Sequence, residues 1–177
     1  MRISKKKFIY LISPNNIYPR FYQDLKEVLK TGKVGLFQLR LKKYSFKQKI
    51  LIGKKIKQIC KKNGVKFLVN DDPILSKKLN ADGCHLGQKD MSLSEARKIV
   101  GNKIIGITCH NSIKLAKVAI KEKASYIAFG AFFSTTTKKV EFKASTKILN
   151  KVKKLTKTPV VAIGGINFNN YKKLLLN

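Results

Sequence analysis

The chain has 177 residues, 44% of them apolar and 27% charged, with 39 basic side chains against nine acidic ones and a formal net charge of +30. That length suits one domain, residues 1–177, with a real core, because a chain of this size buries roughly 70% of its unfolded surface. No stretch approaches the ~18 uninterrupted apolar residues of a membrane span, and 35 of the 39 basic residues are lysines spread over nearly every predicted helix and loop, which excludes a focused stripe of arginine forks for nucleic acid.

The first predicted element is a strand over Phe8 to Ile12. The basic residues before it suggest an export signal, but the apolar run falls short of the roughly 7 to 15 residues such a signal needs, and Pro14 ends it. The chain is therefore expected in the cytoplasm. Cys60, Cys84 and Cys109 agree, since they form no C-x-x-C pair and read as free, buried thiols of a reducing compartment. His85 and His110 read as ring donors that tie strand ends to neighbouring loops.

Further apolar, β-branched runs follow at Val34 to Leu39, Val65 to Val69, Gly83 to Leu86, Ile104 to Ile107, Tyr126 to Phe129 and Val160 to Ile163. Helical periodicity fills the gaps. Phe46 to Lys62 places Ile52, Ile56, Ile59 and Cys60 on one stripe, with most of its lysines off it. Ser92-Leu93-Ser94-Glu95 is a capping box for a short helix that Gly101 closes. Asn111 and Ser145 are candidate caps for the next two helices, and Pro73 fits the first turn of another. Continuous apolar strands separated by helices imply a parallel sheet covered on its faces. No Gly-x-Gly-x-x-Gly follows the first strand and no Walker motif exists, so an open nucleotide-binding sheet is disfavoured. The expected fold is an α/β barrel of the TIM (β/α)8 type, because polar groups follow almost every strand in one direction.

Those strand-end groups are the candidate site. Gln38, Arg40 and Lys42 alternate with Leu39 and Leu41, so two cations and an amide share one face and suit a polyanionic ligand. Asp71 and Asp90 each sit just past a strand end, and such a pair beside cations is what Mg²⁺ needs alongside phosphate oxygens. Asp71 or Asp72 can equally cap the helix at Pro73. Thr135, Thr136, Thr137 and Lys138 offer three hydroxyls and a cation in one loop able to hold a phosphate, and Gly164-Gly165 allows close backbone approach.

In order along the chain stand Gln-Leu-Arg-x-Lys, Asn-Asp, Asp-Gly-x-His-Leu-Gly-Gln-x-Asp, Gly-x-Thr-x-His, Thr-x-Thr-Lys and Ala-Ile-Gly-Gly-Ile. Together they resemble the family that thiamine phosphate synthase shares with the related thiazole tautomerase. The resemblance runs from about Phe8 to the C-terminus. It implies a transferase that joins hydroxymethylpyrimidine diphosphate to thiazole phosphate and releases pyrophosphate, without a protein nucleophile. It assigns Gln38, Arg40, Lys42, Asn70, Thr108 and Lys138 to the pyrimidine diphosphate, with Thr108 where the family usually has serine. Thr135, Thr136, Thr137 and the backbone N–H of Gly165 are assigned to the thiazole phosphate, and Asp71 and Asp90 to Mg²⁺. Ala131 and Ser134 stand where the family carries proline, and Pro14 where aspartate is common. The chain ends within the helix expected after the seventh strand, so a C-terminally truncated barrel without its eighth strand is expected, or one completed by another copy of the chain as a homo-oligomer. Expected partners are small phosphorylated substrates, with no specific nucleic acid and no membrane. The alternatives are a thiazole tautomerase of the same fold and a non-catalytic basic protein that binds anions or nucleic acid.

Overall fold

The computed structural model describes residues 7–134 and 141–175. Strand and helix alternate throughout: β1 (Ile9–Ile12), α1 (Phe21–Lys30), β2 (Val34–Leu39), α2 (Phe46–Lys62), β3 (Lys66–Asn70), α3 (Pro73–Lys78) and β4 (Gly83–Leu86). They continue with α4 (Leu93–Val100), β5 (Ile104–Thr108), α5 (Ile113–Lys121), β6 (Tyr126–Phe129), α6 (Thr146–Leu155), β7 (Val160–Ala162) and α7 (Lys172–Leu175). The seven strands form one sheet in chain order, and every adjacent pair is parallel.

The sheet curls round on itself. Tyr10 of β1 meets Tyr126 of β6 hydroxyl to hydroxyl at 2.7 Å, and Phe8, Tyr10 and Val161 pack against the same inner cluster as Leu36, Leu68 and Ile104. Lys7 Nζ also donates to the Leu175 carbonyl, which brings the two ends of the described chain together. Among the described residues no ladder joins β1 to β7. The result is a TIM-type α/β barrel of seven strands with an unsealed seam, as the strand-helix alternation implies.

The two-residue period of each strand separates two cores. Phe37, Leu39, Phe67 and Val69 point outward to Leu25, Leu29, Ile56 and Leu79 on the first helices. Cys84, Leu86, Ile105, Ile107, Ile127 and Phe129 do the same against α4 to α6. Strands covered on both faces must be apolar on both, which is why they read as unbroken runs.

The helices start where their side chains supply caps. Ser45 and Gln48 close a capping box on α2, and Ser92 and Glu95 close the expected one on α4. Asp72 Oδ1 accepts from Leu75 N at 2.8 Å, with Pro73 in the first turn of α3. Two expected caps differ. Ser112, not Asn111, accepts from Leu115 N to cap α5, and Ser145 stands at the cap position of α6, as expected, but makes no side-chain cap bond.

Candidate active site

The C-terminal ends of β1 to β5 open onto one rim. Gln38, only 2% exposed, points into the barrel, where its Nε2 donates to Tyr10 Oη at 2.7 Å. One residue beyond β2, the Arg40 backbone N–H donates to Ser13 Oγ at 2.8 Å and its guanidinium donates to Asn15 Oδ1 at 2.8 Å. These bonds fasten the loop after β1 to the loop after β2. Lys42 extends to the end of β3, with Nζ 3.6 Å from Asp71 Oδ2.

Asp71 follows Asn70 at that strand end in a left-handed conformation, φ 62°, that non-glycine residues rarely adopt. Its backbone N–H donates to the His85 carbonyl at 2.8 Å, which anchors the turn on β4. Burial first, then the neighbouring Asp90 carboxyl, raises the pKa of Asp71, while Lys42 and Asn70 pull the other way. Asp90 in turn is held by the Gly87 backbone N–H, 2.7 Å from its Oδ2. The two carboxyls therefore face each other beside an ammonium group. Mutual repulsion of this kind is relieved by a hard divalent cation, and the donor set of two carboxylates fits Mg²⁺, which completes its shell with phosphate oxygens and water. Among the described residues no cluster of three or more such ligands exists.

Thr108 ends β5 and lies half-buried on the same rim. Its Oγ1 is 2.8 Å from His85 Nε2, and its carbonyl accepts from Gln88 Nε2 at 2.5 Å. A cleft of about 440 Å³ opens on the outer side of this rim, lined by Lys42, Lys49, Asn70, Asp71, Asp90 and Met91 over an apolar floor that includes Leu39 and Leu41. It takes in Lys42, Asn70 and the acidic pair but not Gln38, Arg40 or Thr108, so only part of the predicted set lines this cleft.

Thr135, Thr136, Thr137 and Lys138 lie outside the described residues. The segment leading to them is pinned to the end of β7: Phe132 N–H donates to the Ile163 carbonyl at 3.2 Å and Phe133 N–H to the Gly164 carbonyl at 3.0 Å. Gly165 has φ 65°, and a Cβ there would fall 2.3 Å from the Ser134 carbonyl oxygen. The close approach this glycine permits is thus to the chain's own backbone at 133–134.

Several residues at the rim were not expected from the sequence. Ser13 and Asn15 hold Arg40, and Gln88 holds Thr108. Ser13-Pro14-Asn15 is itself a polar stretch after an apolar strand, the same signal that marked the other rim clusters. The three cysteines play no part here, for burial pushes each thiol up to about 12, too high for a nucleophile or metal ligand at neutral pH.

A parallel barrel that carries amide, cationic and paired acidic side chains at the C-terminal ends of its strands has the build of the TIM-barrel enzymes. A family model described as "Thiamine monophosphate synthase" matches residues 9–177. The thiamine-phosphate synthase of Pelagibacter ubique (strain HTCC1062) is 64% identical over 173 residues, covering 97% of this chain and 84% of that protein. That of Rhodospirillum centenum is 40% identical over 160 residues, covering 89% and 77%. The solved thiamine phosphate pyrophosphorylase from Pyrococcus furiosus superposes with a TM-score of 0.84 at 30% identity, over 96% of this chain and 81% of that one. A structure described as "Native KDPGal structure" shares the fold alone, with a TM-score of 0.69 at 15% identity. The chain belongs to the thiamine monophosphate synthase family, transferases of thiamine biosynthesis.

Proposed function

We propose that the chain joins hydroxymethylpyrimidine diphosphate to thiazole phosphate, giving thiamine phosphate and pyrophosphate. The observation that carries this reading is the facing pair Asp71 and Asp90 beside Lys42, a site for a metal-bound diphosphate, in a chain 64% identical to a thiamine-phosphate synthase. Gln38, Arg40, Lys42, Asn70, Thr108 and Lys138 hold the pyrimidine diphosphate. Thr135, Thr136, Thr137 and Gly165 receive the thiazole phosphate. Asp71 and Asp90 hold Mg²⁺, which, when bound, neutralises charge on the diphosphate oxygens.

The bond from the pyrimidine methylene carbon to the diphosphate oxygen breaks, and its electron pair leaves with pyrophosphate. The electron-rich aminopyrimidine bears the cation that remains. The thiazole nitrogen lone pair then forms the new C–N bond, so no protein nucleophile is needed. Arg40 and Lys42 stabilise negative charge where it grows, which lowers the barrier to departure. The chain's free, buried cysteines fit a cytoplasmic setting, and among the described residues no helix is long and apolar enough to cross a membrane.

The test is to incubate the purified protein with both phosphorylated precursors and Mg²⁺, with and without EDTA. Thiamine phosphate is expected with metal and is lost with chelator. Folded protein that forms none in the presence of Mg²⁺ contradicts the reading, and thiazole tautomerase activity that survives Asp90→Ala without metal replaces it.

A further inference from the structure

Above its apolar layer the barrel interior is polar. Five side chains from five strands touch in series: Gln38 Nε2 to Tyr10 Oη at 2.7 Å, Tyr10 Oη to Tyr126 Oη at 2.7 Å, Tyr126 Oη to His85 Nδ1 at 2.8 Å, and His85 Nε2 to Thr108 Oγ1 at 2.8 Å. His85 and Tyr126 are buried and Tyr10 is half-buried, and no buried side-chain polar atom among the described residues lacks a partner. Room for this chain is made by Gly106, where a Cβ would come within 1.9 Å of Tyr126 Cζ. The Tyr126 ring lies nearly parallel to that of His85, with centroids 5.6 Å apart, and edge-on to Tyr10 at 5.7 Å.

Proton counting gives the series a direction. Gln38 donates to Tyr10, and a Tyr10 proton given to Tyr126 uses every donor of the series, whereas the opposite sense leaves the Tyr10 proton without a partner in it. The Tyr126 proton goes to His85 Nδ1, which leaves the ring proton on Nε2 aimed at Thr108. The His85 ring is buried between two hydroxyl groups, and a neutral ring in that place has one donor and one acceptor nitrogen. Thr108 Oγ1 therefore accepts from within the barrel, and its own proton is left for the rim. Hydrogen bonds aligned head to tail polarise one another, which makes the terminal hydroxyl a better donor.

We propose that His85, set by Tyr126 and Tyr10, is a positioning residue that donates from Nε2 to Thr108 Oγ1 and so commits the Thr108 hydroxyl proton to an oxygen of the diphosphate. This inference rests on the functional reading above for the identity of the ligand, but not for the direction of the series.

Two measurements on the whole protein separate the two. First, ¹⁵N NMR of the wild type reads the tautomer of His85, and because the chain has only two histidines, a His110→Gln variant assigns the signals. The Nε2–H tautomer is expected; Nδ1–H or a charged ring at pH 7 overturns the inference. Second, calorimetry with inorganic pyrophosphate and Mg²⁺ follows Thr108→Val, Tyr126→Phe and the double variant, with circular dichroism to confirm folding. Thr108→Val should weaken binding on the order of tenfold, the range for a hydrogen bond to a charged group, and Thr108→Ser should restore it. Tyr126→Phe should weaken it several-fold alone but add nothing in the Thr108→Val background, while the KM for thiazole phosphate stays as in the wild type. Additive effects, or no effect of Tyr126→Phe, overturn the inference. A wild type that carries the expected tautomer but does not bind pyrophosphate sinks the functional reading; one that binds pyrophosphate with the opposite tautomer sinks this inference alone.

Discussion

Arg40 is fixed before any ligand arrives. Its backbone is tied to Ser13 and its guanidinium to Asn15, so little side-chain freedom is left to lose on binding a diphosphate. Arg40→Ala is expected to weaken pyrophosphate binding by roughly 1.5 to 3 kcal/mol, as for a hydrogen bond to a charged group, and unchanged affinity in calorimetry removes Arg40 from the clamp. His85 carries a different prediction. Its folded pKa of about 4 lies below the ordinary 6.5, so as the pH falls from 6.5 towards 4 the unfolded chain takes up a proton that the folded chain refuses. Stability contributed by the neutral ring is thus present above pH 6.5 and is lost on acidification, by up to about 3 kcal/mol. The raised pKa of Asp71 acts with the opposite sign, which is why the comparison must be with His85→Gln. Urea midpoints that fall more steeply between pH 7 and 4.5 in the wild type than in that variant fit the account; equal slopes contradict it.

Among the elements, β5 and β6 are coupled through one glycine. Gly106 lies opposite Tyr126 in the ladder, and the bare backbone there lets the ring reach His85. Gly106→Ala is expected to cost about 1 to 3 kcal/mol by overpacking and to separate Tyr126 from His85, which denaturant titration and the His85 ¹⁵N signals both read. An unaltered midpoint with unaltered signals contradicts this placement. The elements themselves were largely legible beforehand, for physical reasons. Strands covered on both faces leave continuous apolar runs, and α2 shows its stripe and its polar face over the same span, Phe46–Lys62, that the structure gives. The cap of α5 was not legible, because Asn111 and Ser112 are adjacent and equally able to cap; only the helix's actual start at Ile113 chooses the serine. Nor was the interior series. Tyr10 and Tyr126 look like ordinary strand residues, and period-two alternation says which face they occupy without saying that their hydroxyls meet across the barrel.

For the molecule as a whole, the candidate site is a local exception to its own background. Nine acidic residues stand against 39 basic ones, yet two of the nine face each other at the rim. Their positions after strands could be read from the sequence, whereas the alternation of Gln38, Arg40 and Lys42 does not tell that Lys42 lines the outer cleft without the other two. The left-handed turn at Asp71 and the supporting roles of Ser13, Asn15 and Gln88 could not, because each depends on a loop from another strand end. The barrel unites these groups only because all its strands run the same way, so that every C-terminal end opens on one rim.

The central claim is that this rim gathers a single metal-bound diphosphate. Calorimetric titration of inorganic pyrophosphate into the wild-type protein, with Mg²⁺ and again with EDTA, tests it most directly. Binding at least about tenfold tighter with the metal, a difference of about 1.4 kcal/mol, is the predicted result; equal affinity with and without it would contradict the account.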